Sequence, residues 1–175
     1  SVLTGLPNYP NGSLFKGYSF FNSLNDEYSG IQIYRSPMIT RQKGKGFNLF
    51  LNYISFAISS SLRLLFIKEK FDIIFVYQPS PLTVAIPAFF AKKKYRIPIV
   101  FWCQDLWPES VQDAGGLNNF FVLKLLMKFS KWVYNISNLV LVQSEAFIKP
   151  IINQGCEPEK IKYLPNTVDS EYFNY

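Results

Sequence analysis

The polar residues best suited to chemistry fall into four short clusters, and each cluster comes shortly after an apolar run. The clusters are Asn8-Tyr9, Gln78 with Ser80, Gln104-Asp105 and Ser144-Glu145, and they follow the runs at 1–4, 73–77, 97–103 and 139–142. Short apolar runs bounded by turn residues are typical of parallel strands that are covered on both faces. Ligands bind at the carboxyl ends of such strands, so we expect the four clusters to converge on one crevice.

Asp105 is the strongest candidate for a chemical role. It follows seven mostly apolar residues, and Trp107 and Pro108 stiffen the loop behind it. A carboxylate in that position is partly desolvated and can accept a hydrogen bond from a hydroxyl group. Asp105 also suits a cap for the segment that starts at Pro108, and the sequence does not separate the two roles.

The other clusters also have structural explanations. Asn8 lies between two prolines, as in a rigid turn. Ser80 and Ser144 suit helix N-caps, and an acidic side chain such as Glu145 is favoured in the first turn of a helix.

The composition excludes several kinds of site. The chain has no histidine, which removes HExxH zinc sites, Ser-His-Asp triads and Cys-His pairs. Cys103 and Cys156 have no CxxC spacing, and we interpret them as buried free thiols. A GxGxxG sequence and a P-loop are both missing, so a nucleotide site of the usual kind is not predicted in this stretch. With zinc motifs also missing, we predict no metal and no cofactor for this chain.

Basic residues exceed acidic ones by 18 − 12 = 6, and this balance favours anionic partners. Two basic runs contribute to it, Arg41 with Lys43 and Lys45, and Lys92 to Lys94 with Arg96. Such runs are either solvated faces or contacts with an anionic bilayer. Nucleic acid is not predicted, because no recognisable binding module is present.

Strand and helix patterns alternate along the whole chain. Strands are predicted at 1–4, 31–35, 73–77, 97–103, 139–142 and 161–164, and helices at 47–67, 81–93, 120–134 and 145–154. This alternation with short connections predicts an α/β fold with a Rossmann-like, doubly wound and mostly parallel sheet.

The helix at 47–67 is amphipathic. Its polar stripe consists of Asn48, Asn52, Ser55, Ser59 and Arg63, and its apolar face of Phe47, Phe50, Leu51, Ile54, Ile58, Leu62 and Leu65. A spanning helix would carry such a stripe only inside a bundle, so we interpret this one as packed on the sheet.

Four segments form a recognisable ordered set: Thr-Gly-Leu-Pro-Asn-Tyr-Pro at 4–10, Pro-Ser-Pro-Leu-Thr at 79–83, Gln-Asp-Leu-Trp-Pro-Glu-Ser at 104–110 and Leu-Pro-Asn-Thr-Val-Asp at 164–169. Together they resemble the group 1 (family 4) glycosyltransferases over nearly the whole chain. The resemblance is strongest to the bacterial branch that builds O-antigen, capsule and exopolysaccharide, which includes fucosamine transferases.

This resemblance implies the N-terminal half of a GT-B fold. Residues 1–165 would form the acceptor-side domain without the family's first strand and helix, and 166–175 would begin the linker to an absent C-terminal donor domain. In a doubly wound order the missing strand is central, so strands 1–4 and 73–77 are expected to lack one neighbour.

The implied parent enzyme is a retaining, metal-independent hexosyltransferase that moves a sugar from a nucleotide sugar to a lipid-linked or glycan acceptor. The donor would bind mainly the absent domain, so the chain alone is expected to be inactive. The expected catalytic residue is Asp105, the acceptor-binding residues are Asn8, Tyr9, Gln78, Ser80, Gln104 and Trp107, and the cleft edge is Ser144 and Glu145. Sugars commonly stack on rings such as Tyr9, although Trp107 equally suits the core.

We expect a cytoplasmic protein. The two basic runs and the high aromatic content give the hypothesis that it lies peripherally on the inner face of the plasma membrane. The alternative is a non-catalytic membrane-associating or glycan-binding subunit that needs a separate donor-domain partner. The string at 105–110 argues against a nucleotide-sugar epimerase on the same scaffold.

Overall fold

The computed structural model describes residues 1–22, 24–42, 46–115 and 118–168. The chain divides into two compact units. The first comprises residues 1–71 and 83–96, and the second comprises 72–82 and the described residues from 97 onward.

The first unit contains a three-stranded sheet in the order β1-β3-β2. β1 (Val2–Gly5) runs parallel to β3 (Ile31–Ser36), and β2 (Asn25–Tyr28) runs antiparallel to β3. Ser29 and Gly30 join β2 to β3, and both have positive φ, as a two-residue hairpin turn requires. The sequence pattern did not predict β2, because all four of its residues are exposed and no alternation marks it.

Two helices complete this unit, α1 (Gly46–Arg63) and α2 (Ala85–Tyr95). A 3₁₀ turn, Leu64–Phe66, extends α1, and another, Leu82–Val84, precedes α2. Because α2 begins at Ala85 with Val84 as its cap residue, the predicted N-cap role of Ser80 is wrong.

The amphipathic helix α1 packs on β1, β3 and α2, as predicted, but it does so with its polar side. The Asn52 side chain is 1% exposed and donates to the Ile39 carbonyl at 2.6 Å, while the Ser55 hydroxyl accepts from the Ile39 amide at 2.9 Å. The exposed apolar residues of α1 and its 3₁₀ extension are Phe47, Phe50, Ile58, Leu62, Leu65 and Phe66. Within the described ranges, Gly46–Phe66 is the one helix whose length and composition would allow it to cross a membrane.

The second unit contains a four-stranded sheet in sequential order, and all of its strands are parallel. The strands are β4 (Ile74–Gln78), β5 (Ile99–Cys103), β6 (Leu139–Val142) and β7 (Ile161–Tyr163). The prediction of an α/β fold with a parallel sheet is therefore confirmed. The strands are divided between two sheets, and β1 and β4 each lie at an edge of their own sheet.

The described part of the second unit contains the helices α3 (Glu109–Gly115), α4 (Phe120–Ile136) and α5 (Ile148–Asn153). The side chain of Asn119 caps α4 by accepting from two backbone amides at 3.1 and 3.2 Å. The core of this unit is built from Phe101, Val133, Tyr134, Val140, Val142 and Ile151.

Both cysteines are buried free thiols, as predicted. Burial raises the pKa of the Cys103 thiol to about 12, and burial likewise raises the pKa of Cys156. Both side chains therefore behave as small apolar groups at neutral pH.

Candidate functional site

A chain of hydrogen bonds from two amide side chains, Gln143 and Asn166, to the backbone carbonyl of Gln104 runs along the carboxyl end of the four-stranded sheet. The Gln143 side chain, after β6, donates to the Gln104 carbonyl at 2.7 Å. The Asn166 side chain, after β7, donates to the Gln143 side-chain oxygen at 2.6 Å. We call Gln104, Gln143 and Asn166 the amide chain. It fixes the exits of β5, β6 and β7 with respect to one another.

Gln78 ends β4 next to this chain, since its carbonyl accepts from the Gln104 amide at 3.1 Å. Its side chain is 0% exposed, and neither amide atom has a hydrogen-bond partner among the described residues. The Gln104 side-chain nitrogen is also buried without a described partner. Buried amides that remain unsatisfied are costly, and they mark places where a donor or acceptor is available to a ligand or to water.

Asp105 lies beside these amides and is half-buried. Its Oδ2 accepts from the Trp107 indole at 3.0 Å, and the Trp107 carbonyl in turn accepts from the Ser130 hydroxyl of α4 at 3.1 Å. α4 thus holds Trp107, and Trp107 orients the carboxylate.

Of the two roles expected for Trp107, the structure favours the core position. The side chain is buried, with 8% exposed, so its ring belongs to the core and offers no open face to a sugar. Gln78 is likewise fully buried, so its amide is not open to a ligand in this structure.

The residues expected at the cleft edge have simpler roles. The Ser144 hydroxyl accepts from the Ala146 amide at 3.3 Å and caps the 3₁₀ turn Glu145–Phe147, so its N-cap interpretation is confirmed. Glu145 is exposed in the first turn, where the dipole favours an acidic side chain. Ser80 is exposed after β4.

Asn8 and Tyr9 lie in the first unit, in the loop after β1. They line an open depression of about 480 Å³, together with Thr4, Gly5, Leu6, Pro7, Phe15, Arg35 and Arg41. The Asn8 amide nitrogen donates to the Leu6 carbonyl at 2.9 Å, while its oxygen is buried without a described partner. The Tyr9 ring is 71% exposed. The four predicted clusters are thus shared between the two compact units.

Arg35 and Arg41 were not predicted as site residues, although Arg41 belongs to a basic run that the sequence singled out. The second basic run has a structural role, because Lys94 donates to the Ile67 carbonyl at 2.5 Å and to the Leu64 carbonyl. Lys43, Lys45 and Asp169 lie outside the described residues. Among the described residues, no group of three or more acidic or cysteine side chains could hold a metal ion.

The family described as Glycosyltransferase Family 4 matches residues 25–172 of this chain. No curated protein sequence matches it. Among solved structures, Anabaena Alr3699/HepE in complex with UDP and glucose is 16% identical, with a TM-score of 0.45. The same Anabaena protein in complex with UDP-glucose is also 16% identical, with a TM-score of 0.41.

The alignments to the Anabaena protein cover 80% of this chain and 32% of that one. The chain therefore spans about a third of the length of those solved structures. The family match, in contrast, extends over well more than half of the chain, from residue 25 to residue 172. The chain belongs to Glycosyltransferase Family 4.

Proposed function

We propose that this chain is the acceptor-binding half of a retaining hexosyltransferase. The enzyme would move a sugar from a nucleotide sugar to a lipid-linked or glycan acceptor in the synthesis of O-antigen, capsule or exopolysaccharide. Family membership over residues 25–172 is the observation that carries this proposal. The segment 104–110, which resembles the bacterial polysaccharide branch, supports the choice of pathway.

Asp105 is the proposed catalytic residue, because it is a half-buried carboxylate at the carboxyl end of a parallel strand. The Trp107 indole occupies Oδ2, so the second oxygen of the carboxylate would accept the proton or the hydrogen bond of an acceptor hydroxyl. The unpartnered amide atoms of Gln78 and Gln104 are buried nearby, so these side chains would shape the site from below its surface and would not contact the acceptor directly.

The nucleotide-sugar donor would bind mainly a second, C-terminal domain. Residues 166–175 would begin the linker to that domain. On this account the 175-residue chain alone holds an acceptor but transfers nothing, and it needs no metal of its own.

The transfer reaction tests this function. The product of the whole gene that contains this chain would be incubated with labelled nucleotide sugars and with a lipid extract from the bacterium. We expect label in the glycolipid fraction, with the anomeric configuration of the donor retained in the product by NMR. Release of free sugar with no glycosylated product, or no turnover of any nucleotide sugar, would contradict the proposal.

A peripheral position on an anionic inner membrane surface is part of the proposal. The apolar stripe of α1 supports it, since Leu62 and Ile58 are 56% and 57% exposed on the outer side of the helix. In the second unit, α4 exposes Phe120, Phe121 and Leu125 near Lys124 and Lys128. Apolar side chains next to lysines are typical of helices that lie in the interface plane.

Co-sedimentation with phosphatidylglycerol vesicles at low salt tests the membrane contact. We expect Leu62→Gln to weaken partitioning about tenfold, because a leucine side chain would no longer enter the acyl boundary. Ile31→Gln is the matched control, since Ile31 is 47% exposed on β3 and outside this stripe. If the wild-type chain stays in the supernatant, or if both variants partition alike, the membrane contact is wrong.

A further inference from the structure

Two arginines line the depression after β1. Arg35 forms an ion pair within the protein, and Arg41 forms none with the described residues. The Arg35 guanidinium pairs with the Asp26 carboxylate at 2.9 Å, lies 5.1 Å from the centre of the Tyr18 ring, and has a side chain only 12% exposed. Its charge is therefore neutralised within the protein. Arg41 forms no ion pair with any residue of the described segments, and its Nε is buried without a described partner.

Arg41 lies over an aromatic ring that faces solvent. Its guanidinium carbon is 5.4 Å from the centre of the Tyr9 ring, and Tyr9 is 71% exposed. An exposed ring next to an uncompensated guanidinium offers two kinds of contact, a flat apolar face for a sugar ring and a forked donor for an acidic group.

Asn8 lines the same depression, and the orientation of its side chain is fixed. Because a carbonyl can only accept, the bond to Leu6 fixes the Asn8 nitrogen on that side and leaves Oδ1 as an acceptor. Asn8 is 8% exposed and its Oδ1 is buried, so this side chain supports the lining of the depression and does not present an open acceptor to a ligand.

Backbone contacts hold these side chains in one place. The Gly12 amide donates to the Asn8 carbonyl at 2.7 Å, and the Gln42 amide donates to the Gly12 carbonyl at 2.9 Å. A Cβ on Gly12 would lie 1.5 Å from the Gln42 carbonyl oxygen, so only glycine permits this approach. The loop that carries Asn8 and Tyr9 is thereby fastened to the segment that carries Arg41.

We propose that this depression binds a sugar that carries an acidic group, either a phosphate ester or a carboxylate. Arg41 binds the acid, and the exposed ring of Tyr9 stacks on the sugar ring. The inference rests on the proposed function, since it assigns a negative charge to the acceptor of the transfer. It also gives Arg41 a role in ligand binding in place of a purely solvated or membrane-facing one.

Titration calorimetry on the 175-residue chain tests this site, with glucose 1-phosphate, glucuronate, glucose and inorganic phosphate as separate probes. We expect saturable binding of at least one of the two acidic sugars, and the stronger of them tells a phosphate ester from a carboxylate. Glucose and inorganic phosphate should each bind at least about tenfold more weakly, because each lacks one of the contacts.

Arg41→Gln should weaken binding of the acidic sugar about tenfold or more, since a charge-assisted contact is lost. Arg96→Gln is the matched control, because Arg96 is exposed and does not line the depression. Tyr9→Leu should also weaken binding, and as a change at an exposed side chain it should leave the melting temperature unchanged.

Equal binding of glucose and the acidic sugars, equal binding by the two arginine variants, or inorganic phosphate as the tightest probe would each overturn the inference. The titration contains no donor nucleotide, so its result is independent of the transfer assay. Transfer to a neutral acceptor without any acidic-sugar binding would refute this inference and leave the proposed function standing. Acidic-sugar binding without any transfer would support this inference and refute the proposed function.

Discussion

The loops after β1 and after β5 both carry an aromatic residue next to a polar one, but the two pairs are used in different ways. Trp107 is buried, and its indole is bonded to Asp105. Tyr9 is 71% exposed, and the neighbouring Asn8 keeps an oxygen without a described partner. In the second unit the protein's own groups orient a carboxylate and bury the aromatic ring, whereas in the first unit the aromatic ring remains exposed.

This difference shows how much the position of a residue at a strand end predicts about its role. The carboxyl end of a parallel strand predicts where polar residues gather. It does not predict whether those residues bond to each other or to a ligand, because that depends on partners far away in sequence. Ser130, which fixes Trp107, and Gln42, which fixes the loop of Tyr9, are such partners.

The largest expected effect is the loss of stability when the buried ring of Trp107 is removed. Trp107→Ala should lower the free energy of unfolding by about 3–5 kcal/mol, since it leaves a cavity and frees the Asp105 carboxylate. Tyr9→Ala, its exposed counterpart, should change it by less than about 0.5 kcal/mol. Urea unfolding followed by circular dichroism measures both, and a similar loss in the two variants would contradict the assignment of the two rings.

A smaller effect tests the contact between Gly12 and Gln42, which holds the loop after β1 in place. Gly12 and Gly30 both have positive φ, 74° and 79°, but a Cβ on Gly30 would meet nothing within 4 Å. Gly30→Ala should therefore cost only the roughly 1–2 kcal/mol of a left-handed backbone. Gly12→Ala should cost about 1–3 kcal/mol more, because the methyl group overlaps the Gln42 carbonyl.

The same pair of variants separates stability from binding. Gly12→Ala should also abolish binding of the acidic sugar under conditions where the chain is still folded, while Gly30→Ala should retain it. If Gly12→Ala is as stable as Gly30→Ala and binds normally, the Gly12–Gln42 contact does not position Arg41.

Much of the fold could be predicted from the sequence, because buried parallel strands such as β5 and β6 are nearly continuous apolar runs. β2 could not, since it is exposed at every position and depends on the turn at Ser29-Gly30. The side on which α1 packs was also not visible in the pattern. Asn52 is buried there only because the Ile39 carbonyl lies within reach.

The candidate site was predicted in part. Asp105 and Asn8 followed from strand ends, and the four short segments indicated the family that the match over residues 25–172 confirms. Arg41 was missed as a site residue because it lies more than thirty positions from Asn8 and reaches the same depression through the bond between Gln42 and Gly12. Gln143 and Asn166 were missed because each takes part only through a long-range amide contact.

The most direct test of the central claim is the rate of sugar transfer by two variants of the whole gene product, Asp105→Asn and Asp113→Asn. Asn keeps an oxygen that can accept from the Trp107 indole and removes only the charge, and Asp113 is an exposed residue of α3. Loss of a catalytic carboxylate should reduce kcat about 100-fold or more, while Asp113→Asn stays within about twofold of the wild type. Equal rates for the two variants would contradict the assignment of Asp105 to the reaction.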